Sequence, residues 1–430
     1  LKLITKYQIS LTVSLIFCLL SLFINRLWVD DIAEVVGTFF AYTIVIGIST
    51  VPSIILSFIN FSLIIDDRPK FNLDDYPPIT ILISAYNEEV CIYRTLETIF
   101  RQNYKNLYVI VINDGSKDNT SKMVNHFITD DKTDRILFLD NKINRGKSRA
   151  LNMGLKKVKT EYCLTIDADS LLHKNALKNI VKTIVCSDEN YAAVAGSILC
   201  KNFRIGAITK YQYWDYLIGI SSIKRIQSMF QGTLVAQGAF SIYRTDLLRQ
   251  IGGWPDSVGE DIVMTWKLLK EGHKIGHAED AICFTNTPED YKTFFNQRVR
   301  WARGMIEAFR AVPELILRKR KSTFFIINNL LFPLLDSVYL FVFVPGVLAA
   351  IFFQYYLIAG IMTLLQIPLA FIFNFTVVKV QQKTLSEQGI KIPKRLWPSF
   401  FGYMLFYQLL MTPACITGYY KELTNKKKTW

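Results

Sequence analysis

Short apolar runs alternating with amphipathic stretches of helical length fill the middle of the chain, and long uncharged apolar runs flank it on both sides. From Ile79 to about Asp290, β-rich runs such as ITILIS, YVIVIN and YCLTID are separated by stretches with helical apolar periodicity. Strand and helix in alternation predict a mostly parallel sheet with crossover helices. In such sheets a ligand sits beyond the carboxyl ends of the strands. The first flanking run, Ile9 to Ile24, comes with its flanks close to the roughly 20 residues a helix needs to cross the hydrocarbon core. The second, Val35 to Ile65, exceeds that length and carries Pro52, which predicts a tilt or bend. Beyond Pro288 the chain turns basic and amphipathic, as a helix lying in a membrane interface does. Phe324 to Phe353, Tyr355 to Val378 and Leu396 to Tyr420 are further candidate spans. The expected organisation is two transmembrane helices over 1–70, a cytosolic α/β domain over 71–290, an amphipathic interface helix over 291–322, transmembrane helices over 323–420 and a basic tail over 421–430.

Charge fixes the expected orientation. The 430 residues are 51% hydrophobic, and Lys and Arg outnumber Asp and Glu by 50 to 36, for a net charge of +14. Lys2 and Lys6 precede the first span, Asp30, Asp31 and Glu34 lie between the first two, and Arg68 and Lys70 follow the second. Positive-inside bias places residues from about 66 onward in the cytosol of a multi-pass protein of the cell membrane. The same bias accounts for the basic excess; nucleic acid is not expected as a partner, because no zinc-ligand spacing, aromatic RNA motif or isolated basic domain accompanies the charge. The seven cysteines are scattered, with no CxxC pair, and read as thiols in a reducing compartment. The first apolar run has no small-residue cleavage site after it, so a cleaved leader is not expected.

Candidate chemistry lies where the strand-like runs end. Ala85-Tyr86-Asn87-Glu88 closes the first run, where backbone N–H groups and short polar side chains suit a nucleotide. Asn113-Asp114-Gly115-Ser116 closes the second: Asp114 can accept from the N–H of uracil, Gly115 permits close backbone approach, and Asp118 can cap the next helix. Asp167-Ala168-Asp169 closes the third, with Asn144-Arg145-Gly146-Lys147 some twenty residues upstream. Two carboxylates one residue apart can hold Mg²⁺ or Mn²⁺ together with diphosphate oxygens and water. Glu260-Asp261 precedes a helical run, and there Asp261 suits a general base. Gln297, Arg300 and Trp301 share one helix face, where Arg300 can grip a diphosphate and Trp301 can stack on a sugar. Each has an ordinary structural alternative. These are a helix cap, a turn, a solvated loop, complementarity to a helix dipole and a membrane-surface helix respectively.

Taken together and in order, Ala85-Tyr86-Asn87-Glu88, Asn113-Asp114-Gly115-Ser116, Arg145-Gly146-Lys147, Asp167-Ala168-Asp169, Glu260-Asp261 and the QRVRW run from Gln297 to Trp301 resemble the motif set of the processive family 2 glycosyltransferases, which include cellulose, chitin and hyaluronan synthases. The two leading spans, the QRVRWARG run and Thr287-Pro288-Glu289 look most like the bacterial poly-β-1,6-N-acetylglucosamine synthases. The resemblance implies a GT-A fold inserted between transmembrane helices, with Asp114 on uracil, Lys147 near the nucleotide, Asp167 and Asp169 at the diphosphate and metal, and Asp261 as base. It implies an inverting enzyme that takes a UDP-sugar, most simply UDP-N-acetylglucosamine, and extends a polysaccharide acceptor through the bilayer, with room for a small membrane accessory subunit. Ala236-Gln237-Gly238-Ala239 resembles the family's acceptor-cradling loop, which places Gly238 and Ala239 beside the acceptor, and departs from it at Gln237, where a smaller residue is expected. The alternatives are a transferase adding one sugar to a lipid carrier and an inactive membrane scaffold.

Overall fold

The computed structural model describes residues 26–45, 51–64, 73–131, 134–187, 190–359 and 361–426, with isolated positions between 4 and 23. The chain packs as two compact units, Leu1–Pro69 with Leu331–Ile416, and Lys70–Leu330 with Thr417–Trp430.

The second unit is built on a sheet whose described strands are β1 (Ile79–Ala85), β2 (Leu107–Asp114), β3 (Ile136–Asn141), β4 (Tyr162–Ile166), β5 (Leu171–Leu172), β6 (Tyr191–Cys200), β7 (Phe240–Arg244) and β8 (Lys274–Thr285). Their order is β3-β2-β1-β4-β7-β6-β8-β5. The first four are parallel, as expected. Beyond β4 the sheet stays mostly parallel in strand direction, as expected, with β7 and β5 reversed: β7 runs antiparallel to both β4 and β6 and β5 antiparallel to β8, while β6 and β8 are parallel. The parallel strands β1 and β2 are covered on both faces, which is why they read as near-continuous apolar runs. Helix Ile92–Phe100 shows how they are covered: Ile92, Thr95, Leu96 and Ile99 recur at helical spacing and are the residues it buries.

Most of the first expected span, Ile9 to Ile24, lies outside the described residues. The second is described as helices Thr38–Val45 and Val51–Ile64, with Pro52 in the first turn of the latter. Among the described residues, two helical runs are long and apolar enough to cross a membrane, Thr323–Phe353 and Lys394–Leu423. Both turn large apolar side chains outward, among them Leu334, Phe341, Phe353, Phe401 and Phe406. The segment expected to end at Val378 instead continues as helix Ile361–Glu387, so Lys379 and Lys383 are helical and not part of a connection. No Gly or Pro lies between Val378 and Gly389, whose φ of 76° and the Ile390 N–H bond to the Leu385 carbonyl (2.8 Å) close the helix.

Candidate active site

Ala85 to Glu88, Asp114, Asp167 and Asp169 lie at the carboxyl ends of β1, β2 and β4. The loops after β1 and β2 are laced to each other: Asn87 N donates to Ser116 Oγ (2.9 Å), Lys117 N to Asn87 Oδ1 (2.8 Å), Glu88 N to Thr120 Oγ1 (2.8 Å) and Glu89 N to Asp118 Oδ2 (3.1 Å). Asp118 also accepts from Thr120 N at 3.0 Å, the helix-capping role expected of it. Ala85 ends β1 in the core, whereas Tyr86 and Asn87 are exposed. Asp114 is 2% exposed, and its two carboxylate oxygens accept from the backbone N–H groups of Arg145 (3.0 Å) and Gly146 (2.8 Å). A close backbone approach at Gly115 is present, but the approaching segment is the chain's own 143–144 backbone. A Cβ at Gly115, whose φ is +73°, would lie 2.5 Å from Asn144 N. This bend delivers Lys147 to the site.

Lys147 Nζ reaches Asp167 Oδ1 at 2.5 Å and Glu260 Oε1 at 3.8 Å, so one ammonium joins the Asp167-Ala168-Asp169 turn to the Glu260-Asp261 turn. Burial alone would depress its proton affinity, but the charges of Asp167 and Glu260 outweigh it and raise the pKa. Antiparallel β7 supplies the third wall. Ile166 at the end of β4 pairs with Phe240 at the start of β7, so the loop before β7 lies at the end of β4, and Asp167 N donates to Ala239 O (3.3 Å). Gly238 N points at Asp261 Oδ2 across 3.4 Å, and a Cβ there would lie 3.0 Å from Lys147 Nζ. Gln237, the departure from the expected pattern, is buried, and its Nε2 donates to Gly196 O (2.6 Å). Its bulk is spent on β6.

The acidic groups repel one another. Burial, then the charges of Asp169, Asp167 and Asp118, push Glu88 up to about 7. Burial and the neighbouring charge of Asp167 raise Asp169 as well, and Thr285 Oγ1 gives it only a long hydrogen bond of 3.4 Å. Glu260 is pushed up to about 7 by burial, against the opposing charge of Lys147. Excess negative potential on Asp167 and Asp169 fits a divalent cation. No group of three or more His, Cys, Asp or Glu side chains suited to an ion occurs among the described residues. Two carboxylates are nonetheless enough for an ion such as Mg²⁺ that takes its remaining ligands from phosphates and water. Thr95 supports this turn from below, donating to Ala168 O at 2.7 Å.

Gln297, Arg300 and Trp301 lie on helix Tyr291–Ala311, whose start is capped by Asp290 accepting from Thr293 N (2.9 Å). The helix ends at Ala311, so the expected range of 291–322 is too long, and Pro313 opens a separate short turn. Arg300 is exposed, and Gln297 Oε1 is buried with no hydrogen-bond partner among the described residues. Two further arginines of this helix, Arg298 and Arg303, depart from the alternative of a membrane-surface helix with arginines toward headgroups. Both are buried in protein, Arg298 on Asp215 and Arg303 Nε on Glu422, each at 2.9 Å.

Two features escaped the sequence reading. Lys224, buried on helix Ile223–Met229 and without an ion pair among the described residues, is pushed down to about 7 by burial, with the charge of Asp261 opposing. Its signal was a Lys-Arg pair inside an otherwise apolar helical stretch. Gly259 and Gly304 were the other feature: a Cβ on Gly259 would lie 2.5 Å from Gly304 Cα, so the turn bearing Asp261 meets the Trp301 helix backbone to backbone. Gly304→Ala is expected to destabilise this unit by about 1–3 kcal/mol, read as a lower midpoint of thermal unfolding in detergent.

Comparison with known proteins agrees with this fold. Residues 80–252 match the family model described as glycosyl transferase family 2. The chain is 31% identical over 241 residues to a poly-beta-1,6-N-acetyl-D-glucosamine synthase of Staphylococcus aureus, and 32% identical over 227 residues to the one of Staphylococcus epidermidis. These alignments cover 56% and 53% of this chain and span 57% and 54% of those relatives. A mannosyltransferase, PcManGT from Pyrobaculum calidifontis, solved in complex with GDP-Man and Mn²⁺, shares the fold with a TM-score of 0.60 at 18% identity, over 93% of this chain and 100% of that one. The fold is thus the expected GT-A-like α/β arrangement. Over residues 80–252, the chain carries a domain of glycosyl transferase family 2.

Proposed function

We propose that this chain is an inverting, processive, membrane-embedded glycosyltransferase that polymerises a UDP-activated sugar, UDP-N-acetylglucosamine first among the candidates, into a β-linked extracellular polysaccharide. The observation that carries this reading is the single ammonium of Lys147 between Asp167 and Glu260, with Gly238 and Asp261 alongside. It supports placing the diphosphate end of a donor and the base for an acceptor in one site.

In the proposed reaction the 85–88 and 114–116 loops hold the nucleotide, with Asp114 assigned to the uracil through the carboxylate lone pairs that the Arg145 and Gly146 N–H groups leave. Asp261 takes the proton from the acceptor hydroxyl as its oxygen forms a bond to the anomeric carbon, and the bond from that carbon to the diphosphate oxygen breaks. One displacement inverts an α-linked donor. Lys147 and Arg300 offset the charge on the departing UDP. A divalent ion held by Asp167 and Asp169 would, when bound, neutralise more of that charge. Gln297, Trp301, Gly238 and Ala239 are assigned to the acceptor side, and the flanking apolar helices to a multi-pass passage through the bilayer.

The test is mass analysis of the product made by the purified full chain with UDP-N-acetylglucosamine, UDP-glucose or GDP-mannose. A ladder of N-acetylhexosamine units from the first donor is the expected result. A product that stops at one sugar on a lipid carrier would overturn processivity. Trp301→Ala is expected to slow elongation at least several-fold more than it slows hydrolysis of donor to free UDP, because the ring is assigned to the acceptor. Product length and UDP release measured on the same samples give both rates.

A further inference from the structure

Trp301 is clamped. The guanidinium carbon of Arg298, one helical turn away, lies 4.1 Å from the centroid of the Trp301 ring and 5.0 Å from that of Phe294. Its Nη2 donates to Asp215 Oδ2 at 2.9 Å, and the two side chains are only 3% and 12% exposed. Asp215 opens a π-helical segment, Asp215–Ser222, and the next residue, Tyr216, packs against Trp301 with ring centroids 6.4 Å apart and planes inclined by 47°. π-turns are rare and concentrate at functional sites. A buried ion pair adds little stability over an apolar pair of the same shape, so its value lies in the geometry it fixes. Here the fixed object is the indole. A half-buried Trp on a helix turns about two side-chain torsions, whereas a guanidinium anchored by a carboxylate and stacked on the ring holds it in one orientation.

We propose that Arg298 and Asp215 are positioning residues for Trp301: the ion pair fixes the indole so that it meets the acceptor sugar already oriented. This rests on the reading of Trp301 as the sugar-stacking residue. Neither residue touches donor or acceptor in the proposal, so their effect falls on acceptor use and leaves donor chemistry alone.

Removing Arg298 alone would take the Arg298 counter-charge from a buried carboxylate, so the test uses two variants of the full chain that keep the charges balanced. The Asp215→Asn/Arg298→Gln double variant removes both charges and the stacking face. Arg298→Lys keeps the ion pair and loses only the planar stack. With UDP-N-acetylglucosamine as donor and a β-1,6-linked N-acetylglucosamine oligomer as acceptor, the double variant is expected to raise the acceptor KM about three- to tenfold, and Arg298→Lys by less. Donor KM and the rate of donor hydrolysis should stay within about twofold of wild type. In a Trp301→Ala background the double change should add less than about twofold, since the clamp then has nothing to hold. The Trp301 component of fluorescence, taken as wild type minus Trp301→Ala, should shift in the double variant. Normal elongation by Trp301→Ala overturns the sugar-stacking reading by itself. If Trp301→Ala is impaired, then an unchanged acceptor KM and Trp301 emission in the double variant overturn the positioning role, as does equal damage to donor hydrolysis.

Discussion

Asp261→Asn is expected to lower transfer by about 10²-fold or more while UDP binding stays close to wild type. The substitution keeps the side-chain shape and removes its ability to take a proton. The separation of effects follows from the proposed layout: Asp261 Oδ2 faces the N–H of Gly238, on the loop before β7, whereas the loops proposed to hold the nucleotide are those after β1 and β2. Glu260 is the competing base, and a pKa of about 7 would suit it. Its carboxylate, however, lies toward Lys147, 3.8 Å away, on the proposed donor side. Glu260→Gln should therefore act mainly on donor KM, by freeing Lys147 from one partner. Single-turnover rates and UDP affinity measured on both variants decide between them. Near-normal transfer by Asp261→Asn, with transfer lost in Glu260→Gln, would move the base to Glu260.

Chelation is the second large effect: EDTA should abolish turnover, and Mg²⁺ or Mn²⁺ should restore it. Asp169→Asn should abolish it irreversibly. The same variant should fold at least as well as wild type in the absence of metal. Burial and the charge of Asp167 raise the pKa of Asp169 above its ordinary value, so ionised Asp169 works against the folded state at neutral pH, and an uncharged isostere removes that penalty. Lost activity with unchanged or raised thermal stability is the expected signature. Full turnover in chelator would remove Asp167 and Asp169 from the diphosphate site, and a variant that lost both folding and turnover would give the pair a structural role.

The arginines on the Trp301 helix show where local reading fails. An alternation of arginine with apolar residues near a hydrophobic run has the composition of a membrane-surface helix. Arg298 and Arg303 instead find Asp215 and Glu422, which lie 83 and 119 positions away in sequence. Arg310 joins the second pair, donating to the Glu422 carbonyl at 3.0 Å, so the end of helix Trp397–Leu423 is bonded to the Trp301 helix. Side-chain spacing along one helix carries no information about such partners.

What the sequence determined by itself was local. Apolar runs of strand length marked β1, β2 and β4, because strands buried on both faces must be apolar throughout. The acidic and glycine-containing turns at their ends located Asp114, Asp167 and Asp169, because polar backbone and side chains can only emerge where a buried strand stops. The tertiary structure decided what those turns meet. Antiparallel pairing of β7 with β4 put Gly238 and Ala239 at the end of β4, the turn at Gly115 and the Asp114 carboxylate's grip on the 145–146 backbone delivered Lys147 to Asp167, and Gly259 against Gly304 set Asp261 beside the Trp301 helix. Each of these joins segments far apart in the chain. Strand direction and backbone approach are settled by the packing of the whole unit, whereas hydrophobic period and turn chemistry act over a few residues and leave their mark in the sequence.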